Sequence, residues 1–240
     1  MKGNKFQFKQ FTVWQDKCAM KVGTDGTLLG AWVDISGAEK ILDIGTGTGL
    51  IALMLAQRSS QQYGTFIDAV EIDKDSFLQA KENVERSPWS NRIKIFNYSI
   101  QEYTKICQKR YDLIVSNPPF FENAYKAANQ ARNVARHTDF LSQTDLLKTA
   151  IKLLSATGKL AVIYPVEPAI NFQEKAEDLG LFCQRKLYVK HNQEIPVKRI
   201  LLELSKQQLP LQENILTIKN KQDIYTPEFI SLIQDFYLKY

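Results

Sequence analysis

Two short stretches of this 240-residue chain combine residue types that could do chemistry. In the first, Asp43-Ile44-Gly45-Thr46-Gly47-Thr48-Gly49, a carboxylate ends an apolar run and glycines follow at every second position. Gly45, Gly47 and Gly49 free the backbone for a tight turn and remove side chains that would block a ligand, while the helix after Gly49 points unpaired N–H groups at the same space. Such a turn suits a nucleotide-like cofactor. Its spacing departs from the dinucleotide fingerprint G-x-G-x-x-G, and a carboxylate beside the turn repels a pyrophosphate but attracts an ammonium or sulfonium. In the second stretch, Asn117-Pro118-Pro119-Phe120-Phe121, the Asn117 side-chain oxygen and the Pro118 carbonyl can accept both N–H groups of an exocyclic amine. The lone pair of such an amine is delocalised into its ring, and acceptors favour the more tetrahedral nitrogen that attacks a methyl carbon. Two prolines hold these acceptors still. Phe120 offers a face on which a planar substrate can stack, with Phe121 at the entrance. Such a displacement gains its rate from alignment and needs no catalytic metal or covalent nucleophile.

The elements that must position these residues can be read around them. Lys40–Ile44 is a short apolar strand, and the helix after Gly49 runs to about Ser59. Phe66–Glu71 reads as the next strand, so strand, helix and strand form a right-handed parallel crossover. Glu71 ends that strand with Asp73 just behind it, where an acid can accept both hydroxyls of a ribose. Ser76 to Ser87 carries helical spacing stopped by Pro88, and Arg92 to Tyr98 alternates as a third strand, followed by the loop Ser99-Ile100-Gln101-Glu102. Tyr111–Ser116 is an apolar fourth strand that delivers Asn117. In an open parallel sheet ligands bind beyond the strand carboxyl ends where chain order reverses. The first and fourth strands flank that point, so the two motifs meet there.

The flanks are less regular. Phe6 to Gln15 suggests a strand or hairpin, and Val22-Gly23-Thr24-Asp25-Gly26 leads into a helix capped by Thr24 or Asp25. Ala124 to Leu141 reads as a long loop carrying Lys126, Arg132, Arg136 and His137, cations that could grip phosphates. A helix over Ser142–Leu154, a strand over Gly158–Tyr164 and a helix from about Pro168 to Leu179 precede two closing strands, Phe182–Val189 and Val197–Leu204. Lys190 and Lys198 sit with Lys186, His191 and Arg199 around their connection, either a rim that faces a polyanion or merely a soluble surface. Ile215–Ile218 is a short strand candidate, and Thr226-Pro227 starts a last helix with Thr226 as its cap.

The glycine turn resembles motif I of class I S-adenosylmethionine methyltransferases. The whole chain resembles the bacterial valine-tRNA adenine-37-N6 methyltransferases in Val22–Trp32, in Asp43–Gly49 and in Asn117–Phe120. The resemblance implies an α/β, Rossmann-like class I methyltransferase fold, a seven-stranded mostly parallel sheet with one antiparallel strand, helices on both faces and small N- and C-terminal appendages. It implies that the segment around Lys21, Val22 and Thr24 folds over the methionine end of the cofactor, that Asp43 and Gly45 hold its amino-acid portion and that Glu71 holds its ribose. In that pattern the loop after the third strand usually offers an acid to the cofactor adenine; here Ser99, followed by Ile100, stands in its place, and a serine hydroxyl can still accept one hydrogen bond. The resemblance also implies that Asn117, which would border the cofactor, faces the target base together with Pro118 and Phe120. The expected division is an appendage over residues 1–39 that covers the cofactor, a catalytic core over 40–205 and a packed tail over 206–240, one domain overall.

Composition narrows the partners only slightly. With 31 Lys+Arg against 26 Asp+Glu, the net charge of +5 is compatible with a polyanionic partner without demanding one. Cys18, Cys107 and Cys183 are odd in number and far apart, which makes neither a disulfide framework nor a metal-ligand cluster. No apolar run approaches the roughly 20 residues needed to cross a bilayer, and Met1–Lys5 leads into no signal-peptide core. The expectation is a cytoplasmic enzyme acting on tRNA, with no membrane and no metal, a monomer being slightly favoured. A release-factor glutamine N5-methyltransferase shares an Asn-Pro-Pro motif, but the 39 residues before Lys40 are short for the helical substrate domain expected there. An rRNA guanine-N2 methyltransferase also fits Asn-Pro-Pro-Phe, and a DNA adenine enzyme would need a larger recognition region. The alternative outside enzymes is an RNA-binding module that kept a methyltransferase shell.

Overall fold

The computed structural model describes residues 4–18, 20–61, 64–119 and 141–239. Its centre is built from the apolar runs. Strands β3 (Lys40–Ile44), β4 (Phe66–Glu71), β5 (Ile93–Asn97), β6 (Tyr111–Ser116) and β7 (Leu154–Tyr164) lie parallel. Strand β9 (Arg199–Ser205) runs antiparallel between β7 and β8 (Phe182–Lys190). The expected seven-stranded sheet with one antiparallel member is thus present. It is extended by an eighth strand, β10 (Gln212–Thr217), parallel to β8, which gives the order β10-β8-β9-β7-β6-β3-β4-β5. The sequence places this strand over Ile215–Ile218; the pairing starts earlier, through polar residues on an exposed edge. A separate hairpin of β1 (Lys5–Gln7) and β2 (Thr12–Trp14) precedes the sheet.

Strand residues alternate between two cores, as period-2 geometry requires. Ile41, Leu113 and Val115 face α1 (Thr24–Trp32), α2 (Leu50–Arg58), α7 (Pro227–Ile233) and Val84 of α3 (Lys74–Glu85), whereas Leu42 and Ile114 face α4 (Ile100–Ile106), α5 (Gln143–Leu153) and α6 (Val166–Asp178). Helix α4 is absent from the sequence reading, which leaves Ser99–Glu102 as loop. Its signal is the capping box Ser99-x-x-Glu102.

Helix α1 departs from expectation at its start. Gly23, in extended backbone, is the N-cap, so Thr24 and Asp25 are already helical and neither caps; Asp25 instead pairs with Arg199 Nε at 2.7 Å. The helix is buried almost all round because it packs closely on α2. A Cβ on Gly30 would lie 2.8 Å from Met54 Sδ and 3.2 Å from its Cβ, and one on Gly26 would lie 3.1 Å from Leu50 Cδ2. Gly30→Val is therefore expected to push the helices apart and cost about 1–3 kcal/mol, read as a lowered Tm in thermal unfolding, because overpacking a closed contact forces backbone shifts.

Candidate active site

Strand register brings the two motifs together. Ile44 pairs with Ser116, so the next residues in the two strands, Gly45 and Asn117, leave the sheet side by side. The Ser116 hydroxyl pins that exit by donating to the Ile44 carbonyl at 2.9 Å. Gly45, Gly47 and Gly49 all have positive φ (71°, 58° and 82°), a conformation that costs an L side chain about 1–2 kcal/mol. The space where side chains on Gly45 and Gly47 would stand is open, a cradle for a ligand. The N–H groups of Gly45 and Thr46 both donate to the Val70 carbonyl, at 2.9 and 3.2 Å, which fastens the turn across β4.

Asp43 is fully buried beneath this turn. Its Oδ2 accepts from the Thr46 hydroxyl at 2.5 Å and from the Ala52 N–H at 3.2 Å, while Oδ1 has no partner. Burial pushes its pKa up to about 7, and the charge of Glu71 adds to the rise. Glu71 is buried too, and burial likewise raises its pKa. Its Oε2 accepts from the Gly47 N–H at 2.8 Å and its Oε1 from the Asp73 N–H at 2.9 Å, so each oxygen keeps a lone pair for a further donor. Neither carboxylate has an ion-pair partner among the described residues. Two buried acids without a cation fit a ligand that brings positive charge and hydrogen-bond donors.

The remaining candidates divide. Asp73 is the N-cap of α3, accepting from the Ser76 N–H at 2.8 Å, so part of its capacity serves the helix. Ser99 is committed more fully: its hydroxyl donates to Glu102 Oε2 at 2.8 Å and accepts from the Glu102 N–H at 3.2 Å. Ser99 and Ile100 nevertheless line a shallow cavity with Gly45, Val70, Ile72, Tyr98 and Leu141 at the carboxyl ends of β3, β4 and β5. Tyr98 and Ile72 are half exposed there and offer apolar faces absent from the sequence reading. Lys21 and Thr24 are exposed and Val22 half-buried, with the Val22 N–H held by Gln15 Oε1 at 2.8 Å.

Asn117 carries the second orphan. Its Oδ1 is buried without a partner, and the first turn of α1 closes over the side chain, a Cβ on Gly26 being 3.9 Å from Nδ2. Pro118 is buried behind it. Phe120, Phe121, Lys126, Arg132, Arg136 and His137 lie outside the described residues. Lys190 and Lys198 flank the β8–β9 connection, at the same end of the sheet as Asn117, and neither has a carboxylate partner among the described residues. No group of three His, Cys, Asp or Glu side chains among the described residues could hold a metal, and no described helix is long and apolar enough to cross a membrane. The three cysteines are free.

This strand order, with a glycine turn after β3 and Asn-Pro-Pro after β6, defines a class I methyltransferase fold. A predicted O-methyltransferase from Agrobacterium tumefaciens shares it, with a TM-score of 0.67 over 88% of this chain and 96% of that one at 15% identity. The methyltransferase small domain family model matches residues 19–172. The chain is 77% identical to the tRNA1(Val) (adenine(37)-N6)-methyltransferase of Trichodesmium erythraeum over the full length of both, and 47% identical to that of Parabacteroides distasonis over 98% of each. It belongs to this methyltransferase family.

Proposed function

We propose that the protein methylates N6 of an adenine in tRNA, adenine 37 of a valine tRNA, with S-adenosylmethionine as methyl donor. The observation that carries this is the pair of buried, unpartnered acceptors at adjacent strand ends, Asp43 Oδ1 and Asn117 Oδ1, one suited to a cation and the other to an amine. S-adenosylmethionine supplies an electrophilic methyl group on a sulfonium, together with an ammonium and a ribose. Asp43 and the backbone at Gly45 would hold its amino-acid portion under Lys21, Val22 and Thr24. The spare lone pairs of Glu71 would take the ribose hydroxyls, and the cavity at Ser99 and Ile100 the adenine. Since the Ser99 hydroxyl is held by Glu102, recognition there falls to packing against Tyr98 and Ile72 and to the backbone at the start of α4.

On the other side, Asn117 Oδ1 and the Pro118 carbonyl would accept the two N6 hydrogens and so orient the nitrogen lone pair for attack on the methyl group that the cofactor would supply. Phe120 would stack on the base. The target must leave its stack to reach this depth. Residues 40–205 carry this chemistry, with 1–39 as the cover and 206–240 as a packed tail, and such an enzyme works in the cytoplasm where its tRNA is. Incubating the protein with methyl-labelled cofactor and total tRNA, rRNA or a release factor, then digesting the products, tests the reading. Label in N6-methyladenosine from valine tRNA is expected; label confined to a release-factor glutamine or to rRNA guanine would replace it.

Lys190 and Lys198, with Arg132 and Arg136, would grip phosphates. Each removal is expected to weaken tRNA binding and to flatten its dependence on log salt concentration by about 0.7–0.9. Filter binding from low to high salt checks this. Four unchanged slopes would place the RNA elsewhere.

A further inference from the structure

The inner face of α3 carries Ser76, Gln79 and Asn83, about one turn apart and all buried, an unusual fate for polar residues on an amphipathic helix. They face the chain between Trp14 and Cys18. Asn83 Oδ1 accepts from the Trp14 N–H at 2.8 Å and its Nδ2 donates to the Trp14 carbonyl at 2.9 Å, so the side chain imitates a neighbouring strand. Gln79 Oε1 accepts from the Lys17 N–H at 3.1 Å, and the Lys17 ammonium pairs with Glu82. Asn83 makes one bond more. Its amide also donates to the Thr48 carbonyl, 2.8 Å away inside the glycine turn.

We propose that Asn83 is a positioning residue for the cofactor, joining the N-terminal segment to the glycine turn so that both walls of the pocket are set by one side chain. The connection runs from Thr48 through Asn83 to Trp14, and the next residue, Gln15, holds the Val22 N–H beside the start of α1. All the hydrogen-bonding groups of the Asn83 amide that these contacts need are satisfied, two donors and one acceptor. Removing it strands the buried Thr48 carbonyl and the half-buried Trp14 N–H and carbonyl. The segment then stands closed for only a fraction of the time, and the apparent dissociation constant rises as that fraction falls. This inference rests on the cofactor reading given above.

The test uses the full chain and three readouts: hydrogen exchange without ligand, calorimetry with S-adenosylmethionine, and steady-state methylation of tRNA. Asn83→Ala is expected to speed amide exchange over residues 14–18, 20–24 and 45–49 at least tenfold while sparing β6, and to raise the cofactor Kd and KM at least tenfold. The kcat at saturating cofactor and the KM for tRNA should stay within twofold. Gln79→Ala, which frees Lys17 without touching Thr48, should give a smaller rise in the same quantities, and the double variant should be less than additive. Asn83→Asp keeps the acceptor and the volume but cannot donate, and carries the same expectations if the alanine variant fails to fold. A folded Asn83→Ala or Asn83→Asp protein that melts earlier yet binds cofactor with wild-type Kd would make the residue structural only and overturn the proposal. If the wild-type chain itself binds no S-adenosylmethionine, the cofactor reading has failed instead. Exchange at residues 45–49 in the ligand-free variants then still decides whether Asn83 couples the two segments.

Discussion

Asn117→Ala is expected to bind S-adenosylmethionine nearly as well as the wild-type chain and to lose about 10²-fold or more in kcat, the scale on which removing one preorganised electrostatic partner acts. The side-chain oxygen is buried without a protein partner, fixed by Pro118 next to it and by the Ser116 bond to Ile44. It therefore has little to reorganise when charge develops on the attacking nitrogen, and its interaction strengthens between ground state and transition state. Such a loss falls on kcat and on kcat/KM together rather than on cofactor affinity. Asn117→Asp keeps an acceptor at the same place and should retain more activity than the alanine variant. Single-turnover methyl transfer at saturating cofactor, with calorimetry alongside, separates the two effects. Weak cofactor binding with normal turnover would contradict the role.

Asp43→Asn should do the opposite, abolishing most cofactor affinity while leaving the fold intact or firmer. An amide can still accept from Thr46 and Ala52 through one oxygen, but it turns an NH2 toward the space proposed for the cation. Loss of a charged acceptor is worth about 1.5–3 kcal/mol, roughly ten- to a hundredfold in Kd. The pH dependence comes from the raised pKa of about 7. Because the folded chain holds this proton more tightly than the unfolded one, whose ordinary value is 3.8, the ligand-free protein loses stability as pH rises from about 4 through about 7. A cationic ligand selects the ionised form. Cofactor affinity should therefore fall as pH drops below 7, with proton release on binding visible as a buffer-dependent calorimetric enthalpy. Asp43→Asn should flatten both profiles; a wild-type Kd that is level between pH 5 and 8 would count against Asp43 as the partner of the cation.

The central strands were legible because each is a short apolar run bounded by turn residues, and Phe66–Glu71 and Tyr111–Ser116 fall where the pattern puts them. The placement of the candidate site was legible for the same reason, since Asp43, Glu71 and Asn117 stand at the carboxyl ends of those runs or one step beyond. The hidden features depend on long-range partners. Asp25 reads as a helix cap, yet its partner Arg199 is 174 residues away. Asn83 and Gln79 carry no signal in the helical spacing of α3, and their burial depends on the N-terminal segment and, for Asn83, on the glycine turn. Strand β7 begins before Gly158, the position at which the sequence starts it, because that glycine serves a close approach: a Cβ there would lie 2.6 Å from the Tyr111 carbonyl, where the register with β6 shifts.

The two ends of the described chain meet. Phe8 bridges to Tyr237, the Lys9 N–H donates to the Phe236 carbonyl at 2.7 Å, and Lys9 Nζ reaches the Gln234 carbonyl at 2.6 Å. The β1–β2 hairpin is made long before residues 234–237, and that side of its packing exists only once they arrive. Contacts of such sequence separation are closed late, since their loop entropy is met before the contact rewards it. The sheet can thus pair while the N-terminal segment, the proposed cover of the cofactor, is still unseated. On that reading the capacity to bind S-adenosylmethionine tightly arrives late in folding, after the strands that carry Asp43 and Asn117 are in place.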